Sequence, residues 1–403
     1  MRFDPATEEW VERARRADVW DVLNLVAPHH ALKLRGKTAV GPCPACGGTD
    51  RFSIDRRKNS FYCRAAAKGG DAIRMVEYLT GANFLGAVES ITGEAPPRRE
   101  QREESRKADP RLIEQRRLDA EAEADRRVRE GLAYRDREIA RAAAIWREGR
   151  PLSGSPAEAY LRLRGVQAPL GARLRCHPDL KYWHHSAKQG AFAVVHRGPA
   201  LLARIDDADH HFMGCHCTYL DLATPKGKAQ IIDPESGELL DAKKVRGSQK
   251  GGHIHLGGDP GTAQHLIIGE GIETTLSVRE ALIEAERNLA AHLFWTAINL
   301  PNLGGPSTQS VAHPTLTRAD VKGRLRRVKV PGPVPDLAAS PVLIPPAQLT
   351  EITLLGDGDS DRFTTGNVLA RAAARWARPG RIIKAAWPGQ GKDFNDLRMG
   401  CAA

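Results

Sequence analysis

The stretches His265-Leu-Ile-Ile-Gly-Glu-Gly-Ile-Glu273 and Glu351-Ile-Thr-Leu-Leu-Gly-Asp-Gly-Asp-Ser-Asp361 decide the fold of the second half of the chain. In each stretch a short apolar run ends at a glycine, and carboxylates follow. This pattern is typical of a buried strand with acidic residues at its C-terminal end. Open α/β sheets place their chemistry at that edge. We therefore predict that Glu270, Asp357 and Asp359 meet at one site.

Converging carboxylates without a fixed histidine or cysteine favour hard cations such as Mg²⁺ or Mn²⁺, and these cations also bind phosphates. The two stretches therefore predict metal-dependent phosphoryl transfer. The alternative for the run from Asp357 to Asp361 is a polar turn that caps the next helix. Glu273 also has two interpretations, because it either faces the site or complements the dipole of a helix that follows Glu270.

The segments around these stretches alternate between strand and helix, which favours a compact, parallel-type sheet. The residues between 301 and 346 are rich in Pro, Gly and Arg and predict a long loop or insertion. The predicted strands are 266–268, 293–298, 352–355 and 381–386, and the predicted helices are 273–286 and 366–377.

The chain has 403 residues, with 60 Lys and Arg against 49 Asp and Glu, and a net charge of +11. This excess fits a polyanionic partner. No run approaches the roughly 18 apolar residues that a membrane span needs, and no signal core follows the first residues, so we expect a cytoplasmic protein with no membrane partner. The seven cysteines are an odd number without an export signal, which favours metal binding or burial over disulfides.

The middle of the chain predicts a charged helix followed by a mixed α+β subdomain with strands at 191–195 and 200–205. The Arg-rich helix is either a solvent-exposed linker between domains or a surface that binds nucleic acid. No P-loop pattern occurs, so a helicase motor in the chain is not expected. Cys215 and Cys217 are either buried side chains or, with His177, part of a second metal site. A basic, glycine-rich surface suited to phosphates comprises Lys243, Lys244, Arg246 and Lys250.

Cys43-Pro-Ala-Cys46 and Cys63 have the spacing of a zinc ribbon, in which one turn presents two thiolates. A second C-x2-C knuckle would need cysteine at position 66, where this chain has Ala66. Structural zinc sites normally have four ligands. His29, His30 or a water could close the site, or the ribbon has lost its metal.

The segment from Lys33 to Ile54, with Phe61-Tyr-Cys63 and Gly69-Gly-Asp-Ala-Ile73, resembles the N-terminal zinc ribbon of bacterial and phage primases. The two acidic stretches resemble the Toprim domain that those primases share with topoisomerases. The resemblance implies an α+β multidomain fold: a zinc-ribbon-like DNA-binding domain, a helical linker, and a mixed α/β primase core that ends in a Toprim domain with a Rossmann-like parallel sheet. The implied boundaries are 1–95, 96–150, 151–258 and 259–403.

The resemblance implies a DNA primase of a mobile genetic element, with single-stranded DNA and ribonucleoside triphosphates as substrates and a helicase supplied in trans. Glu270 would be the general base or a metal-orienting carboxylate, and Asp357 and Asp359 would hold one or two Mg²⁺ or Mn²⁺ ions. Two alternatives are a Toprim nuclease and a non-catalytic replication accessory that binds single-stranded DNA. The auxiliary residues implied are Asp361 and Asp393 as metal ligands and Lys392 as a triphosphate contact.

Overall fold

A computed structural model describes residues 4–66, 68–97, 110–185, 191–319 and 324–400 of the chain. The chain folds into two compact units, Met1–Ala133 with Val311–Val330 and Tyr134–Ser310 with Pro331–Ala403. The four domain boundaries given above stay predictions. Across the described ranges, every helix is too short or too polar to cross a membrane.

The first unit contains a five-stranded antiparallel sheet in the order β1-β2-β3-β4-β5, with helices packed against it. Its core includes Trp10, Leu23, Phe52, Ile54 and Met75, all essentially buried. The elements are α1 (Pro5–Arg16), α2 (Val19–Val26), β1 (Lys33–Arg35), β2 (Thr38–Cys43), β3 (Gly47–Asp55), β4 (Ser60–Cys63), β5 (Lys68–Gly70), α3 (Ala72–Thr80) and α4 (Phe84–Thr92).

Two helices form the start of the chain, because the first ends at Ala17 and Asp18 caps the start of the second. Its carboxylate accepts a hydrogen bond from the Trp20 backbone N–H at 2.9 Å and pairs with Arg56 at 2.8 Å. A side chain that satisfies free N–H groups at a helix start favours a new helix at that point. The predicted charged helix follows as α5 (Pro110–Glu148), and the remainder of that segment, 98–109, lies outside the described residues.

The second unit begins with a four-stranded antiparallel sheet in the order β11-β8-β7-β6. The strands predicted at 191–195 and 200–205 form one continuous strand, β7. A small two-stranded sheet pairs β9 with β10. The elements are α6 (Pro156–Leu163), β6 (Leu174–His185), β7 (Phe192–Asp206), β8 (Phe212–Tyr219), β9 (Ile231–Ile232), β10 (Leu239–Leu240) and β11 (Lys243–Gly247).

A five-stranded sheet in the order β12-β14-β13-β17-β18 completes the second unit, so the fold is mixed α/β. Strands β13, β14, β17 and β18 are parallel, and β12 is antiparallel to β14. The elements are β12 (Ile254–Gly257), β13 (His265–Gly269), α7 (Ile272–Glu284), β14 (His292–Thr296), α8 (Leu300–Gly304), β17 (Glu351–Leu355), α9 (Arg362–Trp376), β18 (Ile382–Ala386) and α10 (Phe394–Arg398).

Both faces of this sheet are buried, which explains the unbroken apolar runs in its central strands. Leu266 and Ile268 of β13 pack with Leu369 of α9 in one core, whereas Ile267 packs with Leu276 of α7 in another. Because both cores exclude water, the polar residues that follow the strands are confined to the sheet edge.

Residues 301–346 were predicted to be a long loop or an insertion, and the loop alternative is wrong in part, because two strands lie within the segment. Strand β15 (Ser310–Ala319) pairs with β16 (Leu325–Pro331). Residues such as Val311, Thr317 and Val328 favour strand conformation. Most side chains of both strands are exposed or half-buried, so these strands lack the apolar run that revealed the central sheet.

Candidate functional site

A cavity of about 220 Å³ lies at the C-terminal edge of the parallel strands of the second unit. Four carboxylates line it in addition to Glu273: Glu270 follows β13, Asp357 and Asp359 follow β17, and Asp393 precedes α10. The residues come from three separate parts of the chain. The sheet brings them together because parallel strands end at the same edge.

Gly358 allows the loop before α10 to approach the acidic turn. Its N–H donates to the carbonyl of Lys392 at 3.0 Å, and a β-carbon at Gly358 would collide with that oxygen. The next residue, Asp393, accepts a hydrogen bond from the backbone N–H of Asp396 at 2.6 Å and so caps α10. The close approach and the cap together fix the Asp393 carboxylate beside the cavity.

The carboxylates resist ionisation because they are crowded and partly removed from water. Burial, with the nearby charge of Asp357, raises the pKa of Glu270 to about 7, although Lys243 offsets part of the effect. Burial and the charges of Asp359 and Asp393 raise the pKa of Asp357 to about 6. Burial also raises the pKa of Asp393.

Asp357 carries a buried atom that no protein group satisfies. Across the described ranges, its Oδ1 has no hydrogen-bond donor within reach. An unsatisfied buried carboxylate oxygen is costly unless a cation or donor meets it. The oxygen donors of this cavity therefore fit a hard cation of the Mg²⁺ or Mn²⁺ type.

Half-buried positive charge also lines the cavity. Lys228 Nζ lies 3.0 Å from Glu273 Oε1, and Lys243 of β11 also lines the cavity. The Tyr160 hydroxyl donates to the same Glu273 carboxylate. Burial alone would raise the pKa of Glu273, but Lys243, Lys228 and the Tyr160 hydroxyl together hold it well below its usual range. Glu273 therefore faces the site as an ionised partner of two lysines.

The sequence-based analysis missed four residues that line the cavity or support it. Tyr160 and Arg164 come from the region of α6, and Lys228 lies in the loop after β8. His216 of β8 is buried, and burial together with Lys243 lowers its pKa to about 3. No local pattern marks these residues, because each reaches the cavity through sheet pairing or a long loop.

The basic surface predicted around β11 is divided by strand alternation. Lys243 faces the cavity, whereas the Lys244 ammonium lies 4.6 Å from the centre of the Tyr182 ring. Successive side chains point to opposite faces of a strand, so Arg246 shares the face of Lys244. Lys250 is exposed in the turn beyond β11.

Asp361 and Lys392 do not line the cavity. The Asp361 carboxylate accepts a hydrogen bond from the Thr364 backbone N–H at 2.7 Å and caps α9. The polar-turn alternative therefore describes Asp361, while Asp357 and Asp359 of the same run face the cavity.

The three cysteines of the first unit form a compact group of thiols. The sulfur atoms of Cys43, Cys46 and Cys63 all lie within 4.8 Å of one another, and those of Cys46 and Cys63 are 3.4 Å apart. Hydrogen bonds from Cys43 and Cys46 lower the pKa of Cys63, and the Ala66 backbone N–H adds to that effect. Clustered thiols with a favoured thiolate fit Zn²⁺.

His29 and His30 do not join this group among the residues that the structure describes. His30 Nε2 lies 2.9 Å from Asn24 Oδ1, and His30 Nδ1 accepts from the Leu32 N–H at 3.1 Å. Cys215 and Cys217 are fully buried in the core of the second unit, as the burial alternative predicts, and Cys401 lies outside the described residues.

Family models match two parts of the chain. Residues 8–107 match a family described as "CHC2 zinc finger", and residues 136–256 match a "Domain of unknown function (DUF7146)". The first match agrees with the three-thiol group, so the first part of the chain is similar to a CHC2 zinc finger.

The chain is also similar to proteins described as DNA primases. It is 32% identical over 89 residues to that of Halalkalibacterium halodurans and 29% identical over 89 residues to that of Geobacillus stearothermophilus. These alignments cover 22% of this chain and only 14% and 15% of the relatives. The chain is therefore primase-like in its zinc ribbon and in part of its sequence.

Two solved structures resemble the chain at low identity. The Aquifex aeolicus primase (zinc binding and RNA polymerase domains) aligns over 97% of this chain and 82% of its own, at 13% identity and a TM-score of 0.36. A primase domain from Pseudomonas aeruginosa aligns over 62% of this chain and 68% of its own, at 10% identity and a TM-score of 0.31.

Proposed function

We propose that this chain is a DNA primase of a mobile genetic element, which synthesises short RNA primers on single-stranded DNA. Its catalytic site would be the cavity lined by Glu270, Asp357, Asp359 and Asp393, in a Toprim domain formed by the parallel sheet. The observation that carries the proposal is the buried, unsatisfied Asp357 Oδ1 among three further carboxylates. Such a group of oxygen donors is suited to a cation that works on phosphates.

A bound Mg²⁺ or Mn²⁺ would orient the attacking hydroxyl and neutralise charge that develops on the phosphates. In nucleotidyl transfer, the 3′-oxygen of one nucleotide bonds to the α-phosphorus of the next, and pyrophosphate leaves. The hydroxyl proton needs an acceptor. Glu270 suits that role because its pKa of about 7 lies near a working pH, where a base is effective.

The half-buried lysines supply the second requirement of the reaction, a site for the triphosphate. Lys228 and Lys243 line the same cavity as the carboxylates, and Glu273 holds both ammonium groups in place. Fixed positive groups stabilise charge on a transferring phosphate more than mobile ones do. Lys392, in the adjoining loop, remains a proposed contact of the outer phosphates.

Asp361 stays outside the proposed metal ligands because its carboxylate caps α9. The zinc ribbon and the net charge of +11 support single-stranded DNA as the template. Lys244, Arg246 and Lys250 are proposed to bind the template backbone, and they lie outside the cavity. Because the sequence lacks a P-loop, we propose that a separate helicase opens the duplex.

Incubation of the full chain with single-stranded DNA, four labelled ribonucleotides and Mg²⁺ or Mn²⁺ tests the proposal. Short RNA products that require the DNA support a primase. Cleavage of the DNA without RNA products would favour the nuclease alternative. Binding without either reaction would favour the accessory alternative.

A further inference from the structure

The zinc ribbon contains a tyrosine hydroxyl where a fourth metal ligand is needed. Tyr78 Oη lies 3.3 Å from Cys43 Sγ, on the helix that follows the last ribbon strand. Tyr78 therefore borders the group formed by Cys43, Cys46 and Cys63, in which Ala66 provides no ligand atom.

Two spacings among these atoms lie slightly below the edges of a tetrahedral zinc site. With Zn–S near 2.3 Å and Zn–O near 2.0 Å, tetrahedral angles give an S···S edge of about 3.8 Å and an S···O edge of about 3.5 Å. The structure has 3.4 Å between Cys46 Sγ and Cys63 Sγ and 3.3 Å between Cys43 Sγ and Tyr78 Oη. Small outward shifts of the four atoms would reach the edges of the tetrahedron.

The fold holds Tyr78 in this position from two directions. Its ring stacks on Phe61 of β4, with 5.9 Å between the ring centres, and Phe61 in turn stacks on Phe52 at 5.5 Å. Helix α3 is anchored by the buried residues Met75 and Val76. A hydroxyl on a packed ring costs little entropy to order, which suits a metal ligand.

The geometry points to a zinc site of three cysteine thiolates and one tyrosine oxygen, and we propose that Tyr78 is the fourth ligand that replaces the missing cysteine at position 66. The proposal concerns the ribbon alone and is independent of the reaction proposed for the second unit. It accounts for a retained zinc ribbon in a chain with only three cysteines in that segment.

Zinc affinity of the full-length protein tests the proposal through competition with a chromophoric chelator. Tyr78→Phe keeps the ring and removes the oxygen. Loss of a residue that only hydrogen-bonds to a metal ligand already weakens metal binding by about 10- to 100-fold. Loss of a ligand atom in Tyr78→Phe should therefore weaken zinc binding at least about tenfold. Tyr62→Phe, a change on the exposed face of β4, serves as the matched control and should leave the affinity unchanged.

A second measurement separates ligation from a hydrogen bond to Cys43. A tyrosine that binds zinc loses its proton, so zinc added to the metal-free wild type should produce the ultraviolet absorption of one tyrosinate, absent in Tyr78→Phe. Ala66→Cys in the Tyr78→Phe background should restore tight binding by closing the tetrahedron with sulfur. This rescue also excludes simple misfolding of the single variant.

The proposal is overturned if Tyr78→Phe binds zinc within twofold of the wild type. It is also overturned if zinc produces no tyrosinate signal in the wild type, since Tyr78 would then only hydrogen-bond to a thiolate. A wild type without bound zinc after purification and direct zinc addition would equally contradict it.

Discussion

Glu273 and Lys228 form an ion pair of 3.0 Å, and their side chains are 9% and 25% exposed. Glu273 also accepts a hydrogen bond from the Tyr160 hydroxyl. Lys243 lies close enough to Glu273 for that carboxylate to raise the pKa of the lysine. One buried carboxylate thus supports two cations and a phenol beside the cavity. The pair links the loop after β8 to the first turn of α7.

Glu273→Gln should destabilise the second unit, because it leaves Lys228 buried without a counter-charge. Breaking a buried pair by removing one partner costs about 3 kcal/mol or more. Urea unfolding at neutral pH measures the change. Glu286→Gln, at an exposed position just beyond the same helix, is the control and should leave the midpoint nearly unchanged. A midpoint for Glu273→Gln equal to that of the control would contradict the role given to the pair.

Asp357→Asn should lower product formation by at least about 100-fold. Loss of a residue that only hydrogen-bonds to a metal ligand already lowers metal affinity or activity by about 10- to 100-fold. The same change should stabilise the metal-free protein, because it removes a carboxylate that Asp359 and Asp393 repel. Asp361→Asn is the matched control from the same acidic run. Asparagine also caps helices well, so Asp361→Asn should keep its activity and stability. Equal losses in both variants would place the metal elsewhere in the turn.

Stability of the metal-free protein should fall as the pH rises from about 5 to about 8. The pKa values of Glu270 (about 7) and Asp357 (about 6) exceed those of an unfolded chain, so the folded state binds more protons in this range and loses that advantage as they dissociate. Mg²⁺ should therefore raise the melting temperature more at pH 8 than at pH 5.5. Thermal unfolding with EDTA or Mg²⁺ checks this, and a pH-independent effect of Mg²⁺ would be inconsistent with ligation by these carboxylates.

Binding of the full chain to single-stranded DNA should weaken steeply as salt concentration rises. Each phosphate neutralised contributes a slope of about −0.7 in a plot of log affinity against log salt. Fluorescence anisotropy with a labelled oligonucleotide between low and moderate salt gives this slope. A flat response would mean that the net charge of +11 is spread over the protein without forming a DNA-binding surface.

The parts of the fold that the sequence could predict are those with a local signal. Glu270 and Asp357 could be located because an apolar strand buried on both faces gives an unbroken run that stops at the sheet edge. The three-thiol group of Cys43, Cys46 and Cys63 could be located from the spacing of its cysteines. Asp361 could not be told from Asp359, because only the path of the loop decides which carboxylate faces the cavity and which one caps α9.

The remaining features depend on contacts between distant parts of the chain. Lys228 lies in a loop with no periodic pattern, and it is placed beside Glu273 where the loop pairs back on Leu220, just beyond β8. Tyr160 donates a hydrogen bond to the same carboxylate although more than 100 residues of sequence separate the two residues. Tyr78 has the spacing of a helix core residue, and only packing against Phe61 directs its hydroxyl toward the thiols.

Template-directed synthesis tests the central claim most directly. Wild type and Asp357→Asn are each incubated with a single-stranded DNA of defined sequence, complementary or mismatched ribonucleotides and Mg²⁺ or Mn²⁺, and RNA products and pyrophosphate are measured together. The account predicts short RNA complementary to the template, with equal amounts of new phosphodiester bonds and pyrophosphate, in the wild type and not in the variant. RNA synthesis by Asp357→Asn at the rate of the wild type, or DNA cleavage with no RNA formed by the wild type, would contradict it.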